Sequence, residues 1–290
     1  MNRRNLLKNG LFGASALFLH PLVSQATEVA RAEAGLAALQ RRHGGRLGVA
    51  VLDTGTGRRV VQRGDERFLL CSTFKVLAVA AVLARVDAGR EKLDRRIVFG
   101  RDVLLDHAPA TRRHLGAPGM TVAALCEAAI TLSDNTAANL LLVSLGGPAA
   151  VTRFVRSLGD PVTRLDRTEP ELNEGGPGEV RDTTTPNAML DTLQRLLLGH
   201  VLTDASRTRL IGWLRACTTG IDKLRAGIPA DWQAGDKTGS GTHGESNDVA
   251  VFWPPHRKPI LVAAYYAGSS AGSQQRSAVL AEVGRIAASI

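Results

Sequence analysis

The sequence predicts an α+β fold: a mainly antiparallel sheet formed by both chain ends, with flanking helices, and an all-helical domain inserted between them. Three observations predict it. Strand-like apolar runs lie near the two ends, at Leu47–Asp53, Asp248–Trp253 and Ile260–Tyr266. Stretches rich in Ala, Val and Leu, long enough for helices, fill the middle. The chain has 290 residues, 44% hydrophobic and 22% charged, which suits one large or two intimate globular units with ample core.

Each element has its own signal. Glu28–Arg42 reads as a terminal helix, and Leu47–Asp53 as a buried strand. Thr54-Gly55-Thr56-Gly57 turns that strand, and Arg59-Val60-Val61 returns it. Thr73–Ala88 is a helix stopped by Gly89. Val122–Leu132, Thr136–Leu145 and Ala149–Leu158 follow, broken by Gly146-Gly147-Pro148 and Gly159. Residues 160–185 carry Pro, Gly and acids without clear periodicity, and a loop that long is usually functional. Pro186–Leu198 and Ala205–Cys217 read as helices. Thr238–His243 begins or belongs to a strand, the last two strands join across Pro254-Pro255, and Ser277–Ile290 is the closing helix. The sheet part thus takes residues 27–70 and 215–290, and the helical part 71–214.

The first 26 residues read as an export signal: Arg3 and Arg4, an apolar run from Leu11 to Val23, and a small-residue cleavage site at Val23-Ser24-Gln25-Ala26. The apolar run is too short for a spanning helix. Arg3-Arg4-Asn5-Leu6-Leu7-Lys8 fits a twin-arginine signal, and an ordinary secretory signal stays open. Either route leads out of the cytoplasm, to a periplasm. The net charge of +9 becomes +6 once these residues and their three cations are removed. The positive charges are dispersed, with no basic stripe interleaved with aromatics, so no nucleic acid is expected as a partner. A mild positive field also suits substrates that carry a carboxylate. The three cysteines, Cys71, Cys126 and Cys217, form no metal-binding spacing, so neither metal nor cofactor is expected.

Four motifs carry the chemistry: Ser72-Thr73-Phe74-Lys75, Ser133-Asp134-Asn135, Glu169-Pro170-Glu171-Leu172-Asn173 and Lys237-Thr238-Gly239. About one S-x-x-K is expected by chance in such a chain, so the first alone says little. Of the 36 basic residues only six are Lys, and two of those stand in the motifs. Lys, unlike Arg, can lose its proton in a suitable site. With Ser72 at a helix start, Lys75 lies just under one turn away on the same side. The unpaired N–H groups there can hold the anion of an acyl-transfer intermediate. The simpler reading of Ser72 and Ser133 is helix capping, which only the full set of motifs outweighs.

The set, in this order, resembles the class A serine β-lactamases over nearly the whole mature length. The resemblance implies a small-molecule β-lactam substrate, a monomer, and an active site in the cleft between the two parts. It implies that Ser72 attacks, with Ser72 and Ser240 N–H groups as the oxyanion hole. Lys75 and Glu169 remain rival bases for acylation. Ser133 relays a proton to the leaving nitrogen. Glu169 and Asn173 position the water that deacylates, and the Glu169-Pro170 bond is expected to be cis. Asn135, Lys237, Thr238, Gly239 and Ser240 bind substrate, Lys237 and Thr238 holding its carboxylate. Arg167 is expected to pair with Asp182 and close an Ω-loop over 164–182.

Other implications stay open. Lys223 is a candidate for an extra cation behind the carboxylate site or an exposed turn residue, with Arg276 second. His107 stands where relatives place an aromatic at the cleft entrance. Relatives often bridge the position of Cys126 to the one held here by Val79, so no such disulfide is expected. Cys71 reads as a small buried residue or a reactive thiol. The competing functions are a D,D-peptidase-like penicillin-binding protein and a β-lactam sensor domain. The first shares S-x-x-K and K-T-G and is told apart by Glu169–Asn173; the second would normally be membrane-tethered and would lack the deacylating Glu that Glu169 supplies.

Overall fold

A computed structural model describes residues 20–176 and 178–290, with side chains from residue 26 onward. Most of the export-signal reading, residues 1–19, lies outside the described residues. In chain order the elements are α1 (His20–His43), β1 (Arg46–Asp53), β2 (Arg59–Gln62), β3 (Phe68–Leu69), α2 (Phe74–Asp87), β4 (Arg96–Ile97), β5 (Met120–Thr121), α3 (Val122–Thr131), α4 (Asn135–Leu145), α5 (Pro148–Ser157), β6 (Thr183–Thr184), α6 (Pro186–Leu197), α7 (Asp204–Arg215), β7 (Gln233–Ser240), β8 (Ser246–Trp253), β9 (Ile260–Ala267) and α8 (Ser273–Ala288).

The sheet runs β2-β1-β9-β8-β7, with every pairing antiparallel. Its first two strands come from one end of the chain and its last three from the other. Both faces are covered, which is why these strands read as unbroken apolar runs rather than alternating ones. Val49, Val51, Val262, Ala264 and Tyr266 pack with Leu36 of α1 and Leu280 and Val283 of α8. The intervening residues Ala50, Leu52, Ala263 and Tyr265 face the other way, into the core built around α2. Within α2 every residue from Phe74 to Leu83 is buried.

Local chemistry sets the helix ends. Thr121, Asp134, Thr185 and Thr203 each accept a backbone N–H of the first turn of α3, α4, α6 and α7. Gly146 ends α4 in the left-handed conformation, and Pro148 opens α5 one residue after Gly147. The three cysteines are buried and free. Among the described residues no single helix is long and apolar enough to cross a membrane.

The structure corrects several expected bounds. β7 starts at Gln233, five residues before the expected start, and stops at Ser240, so Gly241–Gly244 is a turn and not strand. Residues 233–237 are poor strand formers held extended by continuous pairing with β8. The loop 160–185 contains a 3₁₀ turn, Glu171–Asn173, and the strand β6, which pairs with β3. α1 begins at His20 and α8 at Ser273, each ahead of the expected residue.

One contact fixes how the last helix meets the segment before β7. A Cβ on Gly284 of α8 would lie 2.1 Å from the Leu224 carbonyl oxygen, and one on Gly227 would lie 1.9 Å from that of Ala281. Backbone therefore touches backbone here, and neither side can yield by rotating a side chain. Gly284→Ala is expected to destabilise the protein by about 1–3 kcal/mol in urea unfolding. An unchanged midpoint and slope would contradict this packing.

Candidate active site

Ser72 lies in a 3₁₀ turn, Cys71–Thr73, that runs directly into α2. Cys71 holds a φ of +43°, an uncommon conformation for a residue with a Cβ. Surrounding contacts hold it there. Asn247 of β8 donates to the Leu69 carbonyl at 2.9 Å, and Leu70 N–H donates to Asp182 O at 2.8 Å. Gly239 packs against the same turn: a Cβ on it would lie 3.0 Å from Leu70 O and 3.2 Å from Ser72 N. The end of β7, where the exposed Ser240 stands, is thereby brought against the Ser72 amide. Burial raises the Cys71 thiol well above its usual range, so Cys71 is a packing residue and not a reactive one.

Lys75 is the hub. Its ammonium is fully buried and lies 3.0 Å from Ser72 Oγ, 2.8 Å from Ser133 O, 3.3 Å from Ser133 Oγ, 2.6 Å from Asn135 Oδ1 and 3.0 Å from Glu169 Oε1. Ser72 Oγ donates to the same Glu169 Oε1 at 3.1 Å. Burial lowers the Lys75 pKa, and the Glu169 carboxylate opposes that shift. Ser133, with a φ of +57°, sits between α3 and α4, and its hydroxyl also accepts from Lys237 Nζ at 3.0 Å. One hydroxyl therefore joins the second and fourth motifs. Asp134 is buried, caps α4 and accepts from the backbone of Ala110 and Thr111, as suits a structural role.

Glu169 is held from both sides. Asn173 donates to its Oε2 at 2.6 Å, and the peptide bond to Pro170 is cis. Asn139 of α4 grips the Glu169 backbone, donating to its carbonyl at 2.8 Å and accepting its N–H at 3.0 Å. Nothing in the sequence marked Asn139 as part of the site. The loop closes as expected: Arg167 Nε meets Asp182 Oδ2 at 2.6 Å, and Asp182 also accepts the N–H groups of Asp166 and Arg167. A cavity of about 650 Å³ lies behind the loop, lined by Gly175, Glu179, Arg67 and Glu245 among others. None of the motif residues lines it.

Lys237 is buried and, among the described residues, donates only to neutral oxygens, Ser133 Oγ and Thr238 O. Thr238 Oγ1 lies 2.6 Å from Thr219 Oγ1. Lys223 is buried too, which removes its reading as an exposed turn residue. Arg276 is hydrogen-bonded to the Ala271 carbonyl. His107 is exposed, with Nε2 3.1 Å from the Leu132 carbonyl and its own carbonyl accepting Asn135 N–H. Among the described residues no group of three or more potential metal ligands converges.

Residues 31–290 match the family model described as the β-lactamase enzyme family. The chain belongs to the β-lactamase family. It is 49% identical to a β-lactamase of Streptomyces albus G over 90% of this chain and 84% of that protein. It is 45% identical to β-lactamase CTX-M-8 of Citrobacter amalonaticus over 92% of this chain and 90% of that one. In structure it is similar to an ancestral class A β-lactamase, GNCA, with a TM-score of 0.87 and 64% identity over 88% of this chain and 98% of that one. This β-lactamase is thus a class A hydrolase of the β-lactam amide bond, the reaction of antibiotic resistance.

Burial pushes the Lys237 ammonium down to about 8, with the charge of Lys75 adding to the shift and Cys217, Asp236 and Asp248 opposing it. A lysine holds a carboxylate only while protonated, so if Lys237 binds the substrate carboxylate, that recognition is present below that pH and lost as pH rises through it. The kcat/KM for a carboxylate-bearing penicillin should therefore fall on an alkaline limb near pH 8. The limb of kcat should lie higher, because a bound carboxylate retains the proton. A kcat/KM profile flat to about pH 10 would contradict the assignment.

Proposed function

We propose that this β-lactamase acts through acylation of Ser72 and deacylation by a water based on Glu169. The observation that carries this reading is the single Glu169 oxygen shared by Ser72 Oγ and Lys75 Nζ, at 3.1 and 3.0 Å. An ammonium paired with a carboxylate has no free site for a proton, whereas the carboxylate does. In this arrangement Glu169 accepts the Ser72 proton as the hydroxyl attacks the lactam carbonyl. Lys75 stabilises the developing alkoxide, passes a proton to Ser133 Oγ and takes back the one that Glu169 received, so Glu169 is a carboxylate again before hydrolysis. Ser133 Oγ, between Lys75 and Lys237, delivers a proton to the leaving nitrogen. The Ser72 and Ser240 N–H groups hold the oxyanion. Glu169 and Asn173 then orient the hydrolytic water.

Substrate binding follows from the same walls. Lys237 and Thr238 take the carboxylate, Gly239 lets the backbone approach, and Asn135 meets the side-chain amide. Lys223 stands behind the carboxylate as a second cation, and His107 lines the entrance. In this reading residues 27–70 and 215–290 form one wall of the cleft and 71–214 the other. The protein works as a monomer in the periplasm, after removal of residues 1–26. It needs no metal or cofactor and has no nucleic acid or membrane partner.

Ser72→Ala is expected to keep the fold, judged by its unfolding midpoint, and to lose covalent labelling by benzylpenicillin in intact-mass spectra. A penicilloyl adduct on that variant would remove Ser72 as nucleophile.

A further inference from the structure

Behind Lys237 lies a buried carboxylate that the steps above leave unused. Asp248 of β8 is fully buried and stands opposite Thr238 in the β7–β8 register, so both side chains share one face of the sheet. Asp236 lies on that face as well, two residues before Thr238. The segment 219–225 straps across it. Thr219 meets Thr238, Arg225 pairs with Asp236, and Leu224 N–H donates to Asp248 Oδ2 at 3.2 Å. A Cβ on Gly220 would lie 2.0 Å from Asp236 Oδ2, so the strap lies directly on the sheet. Lys223 is thus carried on a segment that Asp248 itself fastens.

The charges around this end of β7 do not balance. Arg225 is paired with Asp236. Lys237, whose side chain leaves the other face of β7 between Asp236 and Thr238, donates among the described residues only to neutral oxygens. Lys223 has no hydrogen bond or ion pair from its ammonium among the described residues, and Asp248 is its leading favourable charge. Asp248 Oδ1 is buried without a hydrogen-bond partner. Counting both faces around this end of β7, three cations therefore stand against two buried carboxylates, and a substrate carboxylate makes the count even. Asp222 also faces Lys223 but is exposed and screened by solvent.

We infer that Asp248 is a positioning residue for substrate carboxylate recognition, fastening the strap that carries Lys223 and supplying a counter-charge to both Lys223 and Lys237. The inference rests on the proposed carboxylate site. Burial and the neighbouring Asp236 push the Asp248 pKa well above the usual carboxylate range, and Lys223, the Leu224 N–H and Lys237 act against that shift to favour its charged form. A neutral group at 248 would still accept the Leu224 N–H but would leave the two ammonium groups uncompensated.

Asp248→Asn separates these roles, because the amide oxygen can still accept the Leu224 N–H. The KM for benzylpenicillin should rise about tenfold with kcat changed less than about threefold. The alkaline limb of kcat/KM should move down by roughly one pH unit. Hydrolysis of benzylpenicillin methyl ester, which lacks the carboxylate, should be the same in parent and variant. Lys223→Met tests the same link without touching the buried acid: it should raise KM for the acid and spare the ester, and adding Asp248→Asn should then change little. An unmoved KM and pH limb, equal losses on acid and ester, or additive effects of the two variants would each overturn the inference. If the parent treats acid and ester alike, the carboxylate site itself is wrong. If the parent discriminates and Asp248→Asn does so equally, only the role of Asp248 falls.

Discussion

The site depends on one buried ammonium. Lys75 brings the first three motifs together: Ser72 from the turn that leads into its own helix, Ser133 from the link between α3 and α4, Asn135 from the start of α4, and Glu169 from the long loop. Burying a lysine is costly unless its charge is matched and its protons are placed. Here Glu169 supplies the charge and four further contacts to oxygen surround the nitrogen. The surrounding structure appears as support for that placement: Asp134 pins the link, Asn139 grips the Glu169 backbone, and Arg167 with Asp182 closes the loop.

The two walls divide the chemistry. In the proposed mechanism the helical wall holds the groups that exchange protons, and the edge strand β7 holds the groups that recognise charge. They meet at the Ser133 hydroxyl, which touches Lys75 at 3.3 Å and Lys237 at 3.0 Å. A carboxylate seated at Lys237 therefore bears on the proton path through one atom. The sheet contributes more than a scaffold here. Asn247, Asp248 and Asp236 point from β8 and β7 at the nucleophile turn and the strap, so register along these strands is also register within the site.

Much of this was legible in the sequence. The motifs named Ser72, Lys75, Ser133, Glu169, Asn173 and Lys237, and the structure places these within one connected set of contacts. The Arg167–Asp182 pair and the cis Glu169-Pro170 bond also followed from the family pattern. What stayed hidden was set by tertiary packing. Asn139 looks like any polar residue on a helix until the loop folds over it. Gln233–Lys237 lacks strand-forming residues and is extended only because β8 pairs with it. Lys223 gave no sign of burial, since its neighbours Asp222 and Arg225 suggest a surface turn. Its setting came from Gly227 and Gly284, whose close approach draws that segment onto α8 and the sheet.

The central claim is that Glu169 serves both the attack and the release. Opening a strained lactam ring has chemical help that hydrolysis of the resulting ester lacks, so the ester step leans harder on a positioned base. In Glu169→Ala, rapid-quench and intact-mass measurements with benzylpenicillin should show a burst of acyl-enzyme on Ser72. Steady-state turnover should be down about 10²–10⁴-fold. Turnover at the parental rate with no trapped adduct would contradict the account.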